Sequence, residues 1–232
     1  MKNSISIIIP MLNEAENIEK LLLHLTNNAS LQNLKEIIVV DGGSTDGSQE
    51  IVTNLDLKIH LLHAKKGRAK QMNIGAKAAS GSILYFLHAD SFPPKNFDQL
   101  ILNEVKKKHL AGCFRLQFNS SHWWLQLASW FTKFNWKACR GGDQSQFITK
   151  ALFYEIGGFN EDYIIYEDYI LISELYKRNQ FVVINKKIKT SARLYEKHGV
   201  WKLQYHFWAI YIKKWLGASP DSLHAYYKKH IY

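Results

Sequence analysis

Short apolar segments alternate with amphipathic helical segments over residues 4–90, and this alternation restricts the fold more than any other feature of the sequence. The apolar, largely β-branched runs have the composition of buried strands, and they occupy residues 4–10, 36–41, 57–63 and 83–87. Helical spacing of leucine, isoleucine and alanine fills the intervals between them. Strands separated by helices at this spacing predict right-handed βαβ units and a mainly parallel sheet.

Two signals set the predicted helix ends in this half. Asn13, with Glu16 three residues later, resembles a capping box and predicts that the first helix begins there. The alanine-rich segment 67–81 is predicted as a helix closed by Gly81, because glycine often follows the last residue of a helix.

The second half is less regular. A helix is predicted over residues 96–108, and the alternation in 113–118 predicts an antiparallel or edge strand. Segment 122–136 is dense in aromatic residues, and a long helix is predicted over 198–216. We therefore expect an α/β fold with a mostly parallel sheet and a small antiparallel part in its second half.

The net charge and the cysteine content indicate which partners and which cellular compartment suit this chain. The 232 residues carry a formal net charge of +10, which favours anionic partners. The two cysteines, Cys113 and Cys139, form no C-x-x-C motif, so we expect a reducing cytosol and neither a zinc ribbon nor a disulfide framework. The beginning of the sequence lacks the pattern of a signal peptide, and no stretch has the length of a membrane-spanning helix. We expect a soluble or peripheral protein.

Acidic residues follow three of the predicted strands, namely Glu14, Asp41 and Asp90. The carboxyl ends of parallel strands share one edge of the sheet, so these side chains can converge on one crevice. Neither G-x-G-x-x-G after the first strand nor G-x-x-x-x-G-K-[ST] occurs, which argues against dinucleotide dehydrogenases and P-loop NTPases. A nucleotide bound here would need a divalent cation on Asp90, helped by Arg68. The alternative is that the acids only cap turns and helices.

Six segments, in this order and spacing, resemble family 2 glycosyltransferases: "SIIIPMLNEAENI", "VVDGGSTDGS", "KGRAKQMNIGA", "LHADS", "GGDQSQFITKALFYEIGGFNE" and "YEDYIL". The resemblance implies the GT-A fold in one domain, residues 1–232, with inversion of the transferred sugar. It implies a nucleotide-sugar half at about 1–94, an acceptor half at about 95–197 and a helical extension at 198–232. The segment "SARLYEKHGV" adds a likeness to a small bacterial subgroup that includes enzymes attributed to arsenosugar biosynthesis.

The resemblance also implies a role for each matching residue. Pro10, Asn13 and Glu14 would shape the pocket for base and ribose, and Asp41 with Gly42 would bind the nucleoside. Arg68 would neutralise the diphosphate, and Asp90 would hold Mg²⁺ or Mn²⁺. The donor would be a UDP- or GDP-sugar, and the acceptor is open.

The Glu167–Asp168 pair would supply the general base, Asp168, or would only be first-turn acids favoured by the helix dipole. Asp143 is the second candidate base, otherwise an acceptor-binding group. His88 stands where the family commonly has an acid, so it would bind metal, contact the donor or only pack. His198 would complete the metal shell or lie in solvent.

The predicted C-terminal helix has two apolar stripes. Leu203, Phe207 and Ile210 form one, and the other consists of Trp201, Tyr205, Trp208, Ile212 and Trp215. One stripe can cover the core, whereas the second needs a membrane surface at 198–216, a homodimer partner, or burial within the monomer. The basic runs form no nucleic-acid-reading motif. We expect a cytoplasmic enzyme, peripheral at the inner face of the membrane if the membrane contact holds. The rival interpretations are a polyprenyl-phosphate acceptor and an inactive nucleotide-sugar-binding protein.

Overall fold

The computed structural model describes residues 3–231, which form eight strands and ten helices. The first half alternates strands and helices in the order β1 (Ile5–Met11), α1 (Ile18–Asn28), β2 (Leu34–Asp41), α2 (Ser48–Asn54), β3 (Ile59–His63), α3 (Arg68–Ala78) and β4 (Ile83–Phe86). All four predicted strands are present, because each apolar run is long enough to cross the sheet and is bounded by turn residues.

The second half mixes the two types of element. It contains β5 (Ser91–Phe92), α4 (Phe97–Lys106), β6 (Ala111–Phe118), α5 (Trp123–Phe131), β7 (Gln146–Thr149), α6 (Lys150–Glu155), α7 (Glu167–Lys177), β8 (Phe181–Thr190), α8 (Arg193–His198), α9 (Val200–Trp215) and α10 (Pro220–His230). Two short 3₁₀ turns, Lys137–Cys139 and Gly142–Gln144, lie in the loop before β7.

One sheet joins the strands in the order β3-β2-β1-β4-β7-β6-β8-β5. The pairs of β1 with β2, β1 with β4, and β2 with β3 are parallel, whereas β7 runs antiparallel to both β4 and β6. This confirms the predicted mostly parallel sheet with an antiparallel part in the second half. The carboxyl ends of β1, β2 and β4 therefore lie at one edge, where loops can build a site.

Helices cover both faces of the sheet. Side chains at alternate positions of β1 point to opposite faces, so Ile7 and Ile9 pack on one side with α1, while Ile8 packs on the other with α3. A third apolar cluster joins the C-terminal helices to the loop before α7 and includes Tyr163, Leu203, Ile210 and Leu223.

Two predicted helix ends were wrong. The first helix begins at Ile18 rather than Asn13, whose backbone has a φ of 55° and whose side chain bonds to another loop. Helix α3 ends at Ala78, so Gly81 does not close it. Gly81 is instead required by close packing, since a Cβ there would lie 2.6 Å from the Ser6 hydroxyl oxygen and 2.8 Å from the Ser6 nitrogen.

Strand β6 has two strand neighbours only at its beginning. It pairs antiparallel with β7 at Ala111 and Gly112 and parallel with β8 along its whole length, so residues 113–118 pair on one side only, as predicted for an edge strand, although the partner there runs parallel. Alternation arises there because only one of its faces is covered at the distal end, as the half-buried Arg115 and Gln117 show.

The two apolar stripes predicted for the C-terminal helix lie on α9, and they differ in burial. Leu203 and Ile210 are buried and Phe207 is partly buried, whereas Trp201, Trp208 and Trp215 are 51%, 47% and 85% exposed. Burial of both stripes in the monomer is therefore wrong. In residues 3–231, no helix combines the length and the apolar character needed to cross a membrane.

Candidate active site

A cavity of about 590 Å³ opens at the carboxyl edge of the parallel strands. Its wall includes Pro10 from β1, Glu14 from the following loop, Arg68 from the first turn of α3, and Asp90 after β4. Residues predicted from four separate sequence segments therefore meet at one site.

The loop after β2 is held by Asp41 and Asn13. The Asp41 carboxylate, only 1% exposed, accepts hydrogen bonds from the backbone nitrogens of Gly43 (2.8 Å) and Ser44 (3.1 Å). It also accepts one from Gln49 Nε2 at 2.9 Å. The Asn13 side-chain oxygen accepts one from Thr45 N at 2.9 Å. The loop that would meet a nucleoside is thus fixed by the two residues predicted to bind it.

Gln71 closes the same edge from α3, and the sequence analysis did not identify it. Its buried side-chain amide donates to the carbonyl oxygens of Met11 (2.8 Å) and Val40 (2.7 Å), so it joins the ends of β1 and β2. Gly42 leaves the space for it, because a Cβ at that position would lie 3.0 Å from Gln71 Nε2. Gly42 therefore contributes through close packing.

Arg68 and Glu167 form an ion pair between the two halves of the chain. Arg68 Nε lies 2.7 Å from Glu167 Oε1, and Glu167 is fully buried whereas Arg68 is 42% exposed. The charge of Glu167, stronger than the effect of burial, raises the pKa of Arg68. Burial raises the pKa of Glu167, and the guanidinium opposes that shift. The pair keeps the guanidinium at the cavity wall.

His88, Asp143 and Asp168 lie close together beside this pair. His88 Nδ1 is 3.3 Å from Asp143 Oδ1, and both side chains line the cavity. Burial and Arg68 lower the pKa of His88, but the hydrogen bond to Asp143 and the negative charges of Asp143 and Asp168 together outweigh them, and the pKa is raised. Burial correspondingly favours the neutral form of Asp143, yet His88 and Arg68 hold the pKa of that carboxyl below its usual value.

Asp168 lies behind this part of the wall, against the backbone of Gly142. A Cβ on Gly142 would lie 2.0 Å from Asp168 Oδ2 and 3.0 Å from His88 Cε1. Glycine at this position therefore allows the carboxylate to approach the cavity. Asp168 itself does not line the cavity in this conformation.

Arg193 at the start of α8 joins Glu14 and Asp90. Its guanidinium donates to both oxygens of Glu14, through Nη1 to Oε2 at 2.9 Å and through Nη2 to Oε1. Nη2 also lies 3.5 Å from Asp90 Oδ2. Arg193 was not among the predicted site residues, although it lies in the segment "SARLYEKHGV" that contributed to the resemblance.

Asp90 lies among other acidic groups in a mostly buried position. Burial raises its pKa, the negative charges of Asp143 and Glu14 add to the shift, and His88 and Arg193 offset it only in part. Mg²⁺ is commonly held by one or two carboxylates together with substrate phosphate oxygens. Within residues 3–231 no cluster of three or more His, Cys, Asp and Glu ligands occurs, so such an ion would take part of its shell from the donor.

The C-terminal helices complete the cavity. Tyr195 of α8, Phe207 of α9, and His224, Tyr227 and Lys228 of α10 line it. No local pattern predicts this, since α10 has an ordinary amphipathic pattern and lies far from the strand ends in the chain. The predicted candidate His198 lies outside the lining.

The predicted site residues thus divide into two groups. The cavity lining contains Pro10, Glu14, Arg68, Asp90 and Asp143. Asn13, Asp41, Gly42, Glu167 and Asp168 lie outside this lining.

Known proteins match this chain in sequence and in fold. The sequence profile of "Glycosyl transferase family 2" matches residues 6–170. The glycosyltransferase AglE of Haloferax volcanii is 38% identical over 94 residues, which cover 38% of this chain and 31% of that protein. A dolichol-phosphate mannosyltransferase of Pyrococcus furiosus is 36% identical over 103 residues, covering 42% and 29%. The chain therefore matches less than a third of the length of either relative.

Two solved structures show that the fold is GT-A. The mannosyltransferase PcManGT from Pyrobaculum calidifontis, in complex with GDP-Man and Mn²⁺, superposes with a TM-score of 0.69 at 20% identity, covering 98% of this chain and 70% of that one. TarS of S. aureus, in complex with UDP, superposes with a TM-score of 0.67 at 18% identity, covering 82% and 60%. The first superposition includes the C-terminal helices.

Proposed function

Since the chain belongs to glycosyl transferase family 2, we propose that it moves a sugar from a nucleotide-diphospho-sugar to an acceptor hydroxyl, with inversion and with the help of a divalent cation. The donor half would occupy about residues 1–94 and the acceptor half about 95–197. The likeness to the arsenosugar subgroup stays a prediction, and the acceptor is unidentified.

The observation that carries the proposal is the charge pattern of the cavity. Asp90 lines it together with the basic side chains of Lys66, Arg68, Arg193 and Lys228, and Arg193 Nη2 lies 3.5 Å from Asp90 Oδ2. A diphosphate carries two negative groups that need cations, and a bound metal ion needs a carboxylate. Two solved structures of similar fold hold UDP or GDP-Man.

The donor would lie along the carboxyl edge of the sheet. Pro10 and Glu14 line the part of the cavity beside the loop that Asp41 and Asn13 hold, so the nucleoside would bind there. Arg68 would contact the diphosphate while Glu167 keeps its guanidinium in place. Because the ion pair with Glu167 already orders the Arg68 side chain, little side-chain entropy would be lost when the donor binds.

Asp90 would hold Mg²⁺ or Mn²⁺. The ion would supply positive charge to the leaving diphosphate. His88 is engaged with Asp143, which favours the interpretation that it positions this carboxylate rather than completing the metal shell. Imidazole also suits Mg²⁺ poorly.

Transfer would be one displacement. The acceptor oxygen forms a bond to the anomeric carbon, and the bond to the diphosphate oxygen breaks with its electron pair on the leaving group. Asp168 would take the acceptor proton, which is worth on the order of 10²–10⁴-fold. Asp143, which lines the cavity, is the alternative base. Attack from the face opposite the nucleotide inverts the anomeric centre.

A polyprenyl-phosphate acceptor at the membrane is the second candidate. It is favoured by the exposed tryptophan stripe of α9 and by the match to a protein named dolichol-phosphate mannosyltransferase. In that case the enzyme would be cytoplasmic and peripheral at the inner face of the membrane. An inactive donor-binding protein, suggested by His88, is the third.

A transfer assay tests the proposal. The protein with Mn²⁺ is incubated with α-linked UDP- and GDP-sugars and a panel of hydroxyl and polyprenyl-phosphate acceptors, and nucleoside diphosphate release is followed. We expect release with one base, and a β-linked product by proton NMR. Retention of configuration would contradict the single displacement. Donor binding without release, with every acceptor, would favour the inactive protein.

A further inference from the structure

All seven tryptophans of the chain lie in two short segments, at positions 123, 124, 130, 136, 201, 208 and 215. Six of them are about half exposed or more: Trp123, Trp130, Trp136, Trp201, Trp208 and Trp215 at 60%, 46%, 56%, 51%, 47% and 85%. Soluble monomers seldom expose large apolar groups this densely, so the surface that carries them has a binding role.

The two segments meet through the tryptophan rings of the first turn of α5 and the first half of α9. The Trp124 ring centroid is 5.4 Å from that of Trp201 and 5.9 Å from that of Trp208, and Trp123 is 5.7 Å from Trp201. Trp124 Nε1 also donates to Gln204 Oε1 at 3.1 Å. We call the exposed sides of α5 and α9 together the aromatic face.

Each helix contributes a continuous stripe to this face. On α5, exposed Trp123, Leu127 and Trp130 follow at helical spacing. On α9 the exposed stripe is made of Trp201, Tyr205, Trp208, Ile212 and Trp215. The helices thus present whole apolar sides to solvent rather than isolated residues.

The two segments that carry the aromatic face contain no acidic residue. Residues 119–140 and 197–220 contain no aspartate or glutamate, and between them they contain Lys133, Lys137, Lys197, Lys202, Lys213 and Lys214. Three of these, Lys137, Lys213 and Lys214, contact Tyr169, Tyr226 and Tyr163. Lys133 Nζ lies 3.6 Å from the Trp130 ring centroid, so at least one ammonium borders an exposed ring directly. Lysines between amphipathic aromatic rings form a surface that complements anionic lipid headgroups.

We propose that the aromatic face binds the surface of an anionic lipid bilayer, with the tryptophan rings at headgroup depth and the lysines at the phosphates. A second copy of this chain fits the same face less well. A two-fold dimer would place the same lysine-bearing surface on both sides of its interface, where like charges repel and lysine is normally depleted.

Lipid binding would bring the cavity close to the bilayer. Gln204 accepts from Trp124 on the aromatic face and, at 3.4 Å, from the hydroxyl of Tyr195, which lines the cavity. Phe207, on the opposite side of α9 from the exposed stripe, also lines the cavity. The proposal itself does not depend on the transfer reaction, since it concerns a surface outside the cavity.

Tryptophan fluorescence reports on the aromatic face, because every tryptophan of the chain belongs to the two segments that carry it. The purified full chain is titrated with phosphatidylcholine vesicles, with and without 30% phosphatidylglycerol, and with brominated lipids as quenchers. We expect a blue shift and quenching with the anionic vesicles, and at least tenfold weaker binding to phosphatidylcholine alone. An unchanged spectrum, with the protein left in the supernatant after sedimentation, would overturn the proposal.

Paired variants identify the surface. Trp201→Ser with Trp215→Ser should weaken vesicle binding about tenfold or more, whereas Leu31→Ser, which alters a side chain 79% exposed elsewhere, should not. The double variant Lys133→Gln, Lys202→Gln should weaken binding to anionic vesicles only. The control double variant Lys58→Gln, Lys95→Gln should bind anionic vesicles like wild type. Light scattering and circular dichroism check that each variant is folded. Vesicle binding equal to wild type in both face variants, or a wild-type dimer that the tryptophan variant dissociates, would refute the proposal.

Discussion

Arg193 and Glu14, which are 179 residues apart in the chain, form a two-point ion pair at the cavity wall. The same guanidinium lies 3.5 Å from Asp90 Oδ2, so one arginine balances two acids that the loops after β1 and β4 supply. The contact joins the C-terminal helices to the donor half.

Arg193→Met should destabilise the protein and weaken donor binding. Glu14, 12% exposed, would lose its cation, and an unpaired buried group costs about 1–3 kcal/mol. Donor affinity should fall about tenfold because the cavity loses one cation, and calorimetric titration measures it. Arg178→Met removes only exposed pairs with Glu174 and Glu155 and should cost less than about 1 kcal/mol. Equal effects of the two variants would contradict the role given to Arg193.

Lys228→Met should raise the donor KM several-fold with little change in kcat. The lysine lines the cavity from α10, so it would attract the diphosphate in the ground state and the transition state alike. The neighbouring Lys229 does not line the cavity, so Lys229→Met is the matched control. If both variants behave like wild type, α10 takes no part in donor binding.

Gly142→Ala should abolish most transfer while leaving donor binding intact. The new Cβ would lie 2.0 Å from Asp168 Oδ2, so the carboxylate must leave the position it holds against Gly142. A positioned base contributes on the order of 10²–10⁴-fold, and a loss in that range is expected in single-turnover assays. Gly141→Ala is the control, because a Cβ there meets nothing within 4 Å.

The same assay separates the two candidate bases. Asp168→Asn should match the loss in Gly142→Ala, whereas Asp143→Asn should alter both the pKa of His88 and donor binding. Full transfer by Asp168→Asn would assign the base elsewhere.

Glu36→Gln should reduce stability at neutral pH and less so in acid. Burial alone would raise the pKa of Glu36, but hydrogen bonds from Ser6 (2.6 Å) and from the Ser80 nitrogen (2.7 Å) outweigh it and lower the pKa below 4.5. The ionised form is thus favoured in the folded state. Its stabilisation is present above about pH 4.5 and is lost as pH falls through the lower folded pKa.

Denaturant unfolding at two pH values measures this effect. At pH 7 the variant should be less stable by about 0.5–1.5 kcal/mol, and the difference should shrink below pH 4. Glu50→Gln, at an exposed position, provides the control. A difference independent of pH would show that the carboxylate charge is not what matters.

Much of the fold could be predicted from the sequence because its signals are local. The apolar runs of β1, β2 and β4 and the turn residues after them identify both the strands and the edge where the cavity lies. Asn13 shows the limit of such signals, since a residue suited to cap a helix here adopts a left-handed backbone and bonds to Thr45, 32 residues away.

The rest of the site depends on contacts that no local pattern encodes. Gln71 and Arg193 resemble ordinary surface residues in the sequence, and only tertiary packing places one between two strand ends and the other between two acids. Likewise, the amphipathic pattern of α10 predicts a covered face but not that the face borders the cavity.

Donor binding with and without metal tests the central claim most directly. Thermal unfolding is followed for wild type and Asp90→Asn with UDP- and GDP-sugars, each with and without Mn²⁺. A hundredfold excess over Kd adds about 2.7 kcal/mol to apparent stability. We predict a shift for wild type with one base, only with Mn²⁺, and none for Asp90→Asn. A shift that needs no metal and persists in Asp90→Asn, or no shift with any donor, would contradict the account.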